Sequence, residues 1–319
     1  MAQVRIATFN AENLFARYKF NANVDPVKAV QNGWKADQRY FDISDPKEKE
    51  ITGKTIKGLN ADVVALQEIE NLDTLKRFRD LYLGGRKAYP YAVMVDGNDP
   101  RLIDVAVLSR LPLVHVRSYQ HFWVDAWKYY LFSRDCLEVD VQLPDDSTIT
   151  LFVNHLKSMM DNKHPCDGRA QTREKRQTQA AKVKEIVTQR FGPNAADHPF
   201  IVLGDFNDYL DTDAQGQTGI DQLVLWDQVE NVVNRLPAEE RWTHFFKGNK
   251  KCKIGPSYHQ LDYLLVSKSL ANKNGNAPYI ERRGLAKRAD RYKGPHFPGV
   301  GNDAPKASDH CPVVMELSI

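Results

Sequence analysis

Acid, amide and imidazole side chains stand at the ends of apolar runs in this 319-residue sequence, and the placement repeats. The segment IVLGDFND carries a buried-strand pattern from Ile201 straight into Asp205, Asn207 and Asp208. Asn10 and Glu12 follow VRIATFN, and Glu68 ends DVVALQE. Asn154 and His155 end TITLFVNH, and Asp309 and His310 immediately precede PVVMEL. Each residue has an ordinary explanation of its own. Gly204-Asp205 and Asn207-Asp208 are turn formers. Asn10 suits an Asx turn, Glu68 a structural ion pair, and His155 a core histidine. Taken together, five strands deliver Asn, Asp, Glu or His to a terminus, where a rigid strand can hold such a side chain against a ligand. Carboxylate and amide oxygens are donors for hard divalent cations, and histidine moves protons near neutral pH.

The elements that must position them are mostly short strands. In VRIATFN, Val4, Ile6, Thr8 and Asn10 point one way. DVVALQE is continuously apolar, as in a central strand, with Val64, Leu66 and Glu68 on one face. Segments 104–109, 137–143, 148–155, 200–204, 261–267 and 312–317 complete the strand set. Helical spacing appears over 47–59, 71–82 and 173–191, the last with a stripe of Ala180, Val183, Ile186 and Val187. Helices falling between strands predict an α/β fold: a four-layer α/β sandwich, two packed mixed sheets flanked by helices, in one domain over 1–319. The loop-rich parts are 17–46 and 272–308.

Composition excludes several classes. Hydrophobic residues make up 42% and charged residues 27%, as in ordinary globular chains. A net charge of +3 supplies no strong field for nucleic acid or an anionic membrane. No apolar run approaches the ~18 residues needed to span a bilayer. MAQVRIATFN reads as a strand, not as a basic-then-apolar leader. None of the cysteines Cys136, Cys166, Cys252 and Cys311 forms a Cys-x-x-Cys pair, which argues against structural zinc. Cys136 and Cys311 lie beside strands and read as buried thiols; Cys166 and Cys252 lie in polar loops, and a disulfide between them stays open. Four cysteines fit a reducing compartment, so the expected location is cytoplasmic, or secreted if a signal peptide has been removed.

The segments TFNAENL, ALQEIEN, VNHLKS, LGDFND, QLDYLLVS and SDHCPV occur in the order seen in the endonuclease/exonuclease/phosphatase superfamily, which the chain resembles over residues 4–317. The resemblance implies the same four-layer sandwich and a metal-dependent phosphodiester hydrolase. It implies Asn10, Glu12, Glu68 and Asp309 as metal ligands, with Mg2+ (or Mn2+) as the cofactor. It implies catalytic roles for His155, Asp205, Asn207, Asp262 and His310. In that assignment Asp262 fixes the tautomer of His310. Either His310 or Asp205 is the base, and His155 contacts the phosphate or protonates the leaving group. The Pro-Ala-Trp-x-Asp-Arg element of inositol phosphatases is missing. NHLKS, EIEN and GDFND look most like bacterial nucleases of this superfamily.

Basic and aromatic loops flank these motifs. Lys157, Lys163, Arg169, Arg173, Lys175 and Arg176 lie in one. Arg282, Arg283, Lys287, Arg288, Arg291, Tyr292, Lys293, His296 and Phe297 lie in the other. Of these, Lys157, Arg173, Arg288, Arg291 and Tyr292 are the expected nucleic-acid contacts, through phosphates and base stacking. The expected partner is a nucleic-acid substrate, DNA first, with no membrane and the chain acting as a monomer. The competing readings are a phosphatase or sphingomyelinase-like phospholipase, for which the aromatic segment 121–132 leaves room, and a non-catalytic nucleic-acid-binding module.

Overall fold

Alternation along the strands decides which layer each side chain joins. The computed structural model describes residues 2–20, 39–43, 46–210 and 218–319. In chain order the sheet strands are β1 (Gln3–Leu14), β2 (Val63–Ile69), β3 (Tyr91–Met94), β4 (Asp104–Ser109), β5 (Leu113–Ser118), β6 (Cys136–Gln142), β7 (Thr148–His155), β8 (Phe200–Asp205), β9 (Val229–Asn231), β10 (Asp262–Ser267), β11 (Tyr279–Ile280) and β12 (Val313–Ser318). One six-stranded sheet runs β11-β12-β1-β2-β4-β3, the other β9-β10-β8-β7-β6-β5. Each is mixed, with one parallel pair at its centre: β1 with β2, and β7 with β8. The flanking pairs are antiparallel. Parallel neighbours end on the same side, so four central strand ends come together with the starts of antiparallel β10 and β12.

Three apolar clusters build the layers. Val4, Ile6, Val63 and Ala65 of one sheet meet Leu151, Val153, Ile201, Leu203, Leu264 and Val266 of the other, all essentially inaccessible to water. The opposite parity faces outward. Ala7, Phe9, Val64 and Leu66 pack with Ile51 and Ile56 of helix α1 (Pro46–Leu59) and with Leu75 and Phe78 of α2 (Leu72–Phe78). Phe152, Phe200, Val202 and Leu265 pack under Ala180, Val183, Ile186 and Val187 of α3 (Arg173–Phe191). Truncating one such side chain to Ala would cost about 2–5 kcal/mol.

The expected sandwich is the observed one, and α3 has the predicted bounds. The helix predicted over 71–82 is α2 followed by a π-helical turn, Arg79–Leu83, closed by Gly84 at φ +96°. Strands β3, β5, β9 and β11 were not in the predicted set. They are short, or, like β5 with Val114 and Val116 exposed, carry no buried alternation. Segment 17–46, read as loop, contains an antiparallel pair of Ala16–Phe20 with Arg39–Ile43; residues 21–38 and 44–45 lie outside the described residues. Segment 272–308 is largely irregular apart from β11. Cys166 and Cys252 form a disulfide, with Cα atoms 5.3 Å apart. It ties the loop after β7 to the hairpin of His244–Phe246 and Ser257–His259. Cys136 and Cys311 are buried free thiols. Among the described residues no helix is long and apolar enough to cross a membrane.

Candidate active site

The core parity runs unbroken into polar side chains. Ile6 leads to Asn10, Val153 to His155, Leu203 to Asp205 and Leu264 back to Asp262, all on the face between the sheets. Asn10 Nδ2 donates to Asp205 Oδ2 at 3.0 Å, joining one sheet to the other. Asn10 Oδ1 accepts the Glu12 N–H at 3.0 Å, which fixes the amide orientation. Asn207 Nδ2 also donates to Asp205 Oδ2 (3.0 Å), and its backbone N–H donates to Oδ1 (2.8 Å). This contact is set by a left-handed backbone at Asn207, φ +54°, a conformation Asn tolerates well. His155 Nε2 stands 3.5 Å from Asp205 Oδ2 and 3.9 Å from Glu68 Oε1.

Glu68 corrects the simple alternation. Its parity with Val64 and Leu66 predicts the outer face. The β2 register shifts between Leu66 and Ile69, and Glu68 takes φ +64°. A bulge of this kind re-aims a side chain, and here it brings the carboxylate toward His155. Glu68 Oε2 accepts the Asn13 N–H at 2.9 Å.

His310 and Asp262 form the expected pair. His310 Nδ1 donates to Asp262 Oδ2 at 2.8 Å, so Nε2 faces Asp205 Oδ2, 3.7 Å away. Thr243 Oγ1 donates to the same Asp262 oxygen at 2.7 Å and accepts the Leu261 and Asp262 N–H groups. Ser308 Oγ accepts the His310 N–H and donates to the Asn10 carbonyl, so the approach to β12 is pinned to β1.

These contacts set the charges. Burial and Asp262 push the Asp205 carboxyl up to about 7, with His310 opposing. Burial works against a charged His310, but Asp262 and Asp205 hold its imidazole well above the ordinary range. Burial and the Arg134 guanidinium push His155 well below that range, leaving it neutral. Crowding by neighbouring atoms would raise Asp309, which stays partly exposed, but His244, His310 and Lys306 hold it low.

Groups that could hold a metal ion gather here: Asp205, Asp262 and His310, and likewise His244, Asp309 and His310, each bring one ligand atom per residue within 4.8 Å of the others. Among the carboxylates, Glu68 and Asp309 are the more accessible, with side chains 18% and 37% exposed. Hard oxygen ligands of this kind suit divalent ions. Glu12 is held differently. Its Oε2 accepts the Asp309 N–H at 2.7 Å and the Lys306 ammonium, so it orients Asp309.

The expected nucleic-acid contacts are dispersed. Lys157 Nζ donates to the Ser158 and Met160 carbonyls, and burial lowers its pKa to about 8. Arg173 begins α3. Arg288 pairs with Asp303 at 3.0 Å, Arg291 lies over Tyr258 at 5.7 Å, and Tyr292 donates to the Pro295 carbonyl. Arg288 and Arg291 are exposed. Arg176, read as part of the cationic loop, is fully buried instead. It binds Asp208 at 2.9 Å, and Arg169 binds the other Asp208 oxygen at 2.8 Å. Arg282 stacks on Trp242 and Arg283 pairs with Glu281, so these too are structural.

Sequence reasoning did not single out His244, Thr243 or Arg134. His244 Nε2 lies 3.8 Å from Asp309 Oδ2, and its ring centroid 4.6 Å from that of His310. Arg134, fully buried, donates to the Leu156 carbonyl at 2.7 Å and contacts Asp99 at 3.3 Å. RWTHFF carried no signal beyond its aromatic content, and no motif marked Arg134.

Carboxylates, amides and a His–Asp pair are thus gathered where the central strands of a two-sheet sandwich end. The sequence profile of the Endonuclease/Exonuclease/phosphatase family matches residues 20–310, and the chain belongs to that family. No curated protein matches it. Among solved structures, beta toxin from Staphylococcus aureus is similar at 16% identity and TM-score 0.60, covering 98% of each chain. The human Nocturnin catalytic domain, with bound sulfate, is 16% identical at TM-score 0.58, covering 99% of this chain and 93% of its own. Truncated Caenorhabditis elegans TDP2 is 15% identical at TM-score 0.55, covering 99% and 97%. At these identities the likeness is one of fold.

Proposed function

We propose that this hydrolase is a nuclease cleaving DNA phosphodiesters with Mg2+ or Mn2+, the cation held by Glu68 and Asp309 with Asn10 beside them. The observation that carries the reading is the convergence of Asn10, His155, Asp205 and His310 on one point between the sheets. When bound, the cation would offset phosphate charge and stabilise the leaving alkoxide. The protein's own groups supply the rest. His310, kept charged by Asp262, donates from Nε2 to a non-bridging oxygen. Asp205, with a carboxyl near 7, takes the proton of the attacking water. The 3.7 Å between these two groups is too long for a direct bond. Neutral His155 donates a further hydrogen bond, and Asn10 and Asn207 hold Asp205. Exposed Arg288 and Arg291 are the contacts proposed for the DNA backbone. The Cys166–Cys252 disulfide supports an exported chain, since such bonds persist in oxidising compartments. We also propose that the chain acts as a monomer.

A second reading, a lipid phosphodiesterase, has one observation in its favour. The hairpin of Trp123–Val124 and Tyr129–Tyr130 exposes half of Trp123. Incubation with plasmid, single-stranded DNA, RNA and sphingomyelin, with and without EDTA, decides between them. The nuclease reading expects EDTA-sensitive cleavage of DNA; turnover of sphingomyelin alone would overturn it.

A further inference from the structure

We infer that His244, Asp309 and His310 form a site for a transition-metal cation such as Zn2+, overlapping the catalytic centre and inhibiting it when filled. The inhibitory half of this inference rests on the reading of Asp309 and His310 as catalytic; the binding half rests on geometry alone. One ligand atom from each of the three residues lies within 4.8 Å of the other two. Tetrahedral zinc, with bonds of about 2.0–2.2 Å, sets its ligands about 3.4 Å apart. His244 Nε2 and Asp309 Oδ2 stand 3.8 Å apart, so a shift of a few tenths of an ångström closes the pair.

The backbone holds the three side chains in register. Strand His244–Phe246 bridges His310, the Phe245 N–H donates to the Asp309 carbonyl at 3.0 Å, and the Cys311 N–H donates to the Thr243 carbonyl at 2.6 Å. The imidazole of His310 is also oriented. Its Nδ1 donates to Asp262, which leaves Nε2 as the nitrogen able to bind a cation, and a carboxylate on the far nitrogen is the usual partner of a metal-bound histidine. Two imidazoles and one carboxylate favour zinc and its neighbours over Mg2+, which prefers oxygen. Three protein ligands leave a fourth position for water. A cation seated here takes Nε2 of His310 away from the phosphate and Asp309 away from Mg2+.

The test is a Zn2+ titration of chelator-stripped protein against a chromophoric zinc indicator, for wild type, His244→Ala and His244→Gln. Thermal melts confirm that each variant is folded. The expected result is one Zn2+ per chain, bound at least tenfold more weakly by both variants. Equal Zn2+ affinity in the variants overturns the site. Should both variants fail to fold, X-ray absorption on Zn2+-loaded wild type reads the same point: two imidazole ligands support it, and an all-oxygen shell refutes it. In turnover assays, Zn2+ should inhibit the Mg2+-supported reaction, and His244→Ala should raise the inhibitory concentration at least tenfold. Unchanged inhibition overturns the overlap. If no phosphodiester is hydrolysed with Mg2+, the nuclease proposal fails while the Zn2+ titration still decides the binding site.

Discussion

Replacing Asp262 with Asn removes one charge and almost no volume. Asp262 is fully buried, and its Oδ2 takes the hydrogen bonds of His310 Nδ1 and Thr243 Oγ1 at 2.8 and 2.7 Å. An amide oxygen can accept both, so the His310 contact survives as a neutral one. A charge-assisted hydrogen bond is worth about 1.5–3 kcal/mol and a neutral one about 1. The difference, about 0.5–2 kcal/mol, predicts a loss of roughly 2–30-fold in kcat/KM. The pH profile supplies an independent reading. Asp262 and Asp205 together hold the His310 pKa up against burial. With Asp262 neutral, His310 gives up its proton at lower pH, and activity should fall earlier as pH rises. The assay is kcat/KM for plasmid nicking and for bis(p-nitrophenyl) phosphate between pH 5.5 and 9, on Asp262→Asn, His310→Ala and the double variant. The double variant should be no slower than His310→Ala, because the two residues act as one unit. Additive losses, or an unmoved alkaline limb, would refute the reasoning. Stability carries the same sign. The raised His310 pKa contributes stability in full below the unfolded value of about 6.5, and that contribution is lost as pH rises through the folded value. Asp262→Asn should therefore lower the melting temperature more at pH 6 than at pH 9.5.

Glu68→Ala should abolish Mg2+-supported turnover while leaving the melt nearly unchanged, since its side chain is partly exposed and lies outside the apolar clusters; wild-type rates at limiting Mg2+ would exclude it as a ligand. Arg288→Glu with Arg291→Glu should weaken DNA cleavage across sequences and flatten its salt dependence, leaving bis(p-nitrophenyl) phosphate hydrolysis within about twofold. Equal losses on both substrates would make these arginines supports of the site. Cys166→Ser with Cys252→Ser opens a loop closed across 86 residues, for which chain entropy predicts up to about 4–5 kcal/mol, read as a lower denaturant midpoint. An unchanged midpoint would mean that the bond adds nothing to stability.

Much of this was legible in the sequence because one rule carried both fold and site. Period-two alternation placed Ile201 and Leu203 in the core, and the same parity delivered Asp205 to the gap between the sheets. Asn10 followed from Ile6 in the same way, and α3 from its apolar stripe. The rule failed where the backbone leaves the regular strand. A left-handed glutamate is rare, and nothing in ALQEIEN announced the bulge that turns Glu68. Arg176 was misread because its helix-start segment is dense in charge, and only the fold reveals Asp208 as its partner. His244 had no motif to mark it. Its proximity to His310 comes from a bridge between segments 66 residues apart in sequence, which alternation within either segment cannot reveal (310 minus 244). The pairing of Cys166 with Cys252 depends in the same way on two loops meeting at a distance.

The pairing of β12 with β1 has a bearing on biosynthesis. Residues 3–14 wait for residues 313–318 before their sheet is complete, and Asp309 and His310 reach Glu12 and Asp262 only through that strand. A nascent chain stalled after Asp205 and short of Asp309 holds Asn10, Glu68, His155 and Asp205 without the imidazole and carboxylate that finish the centre.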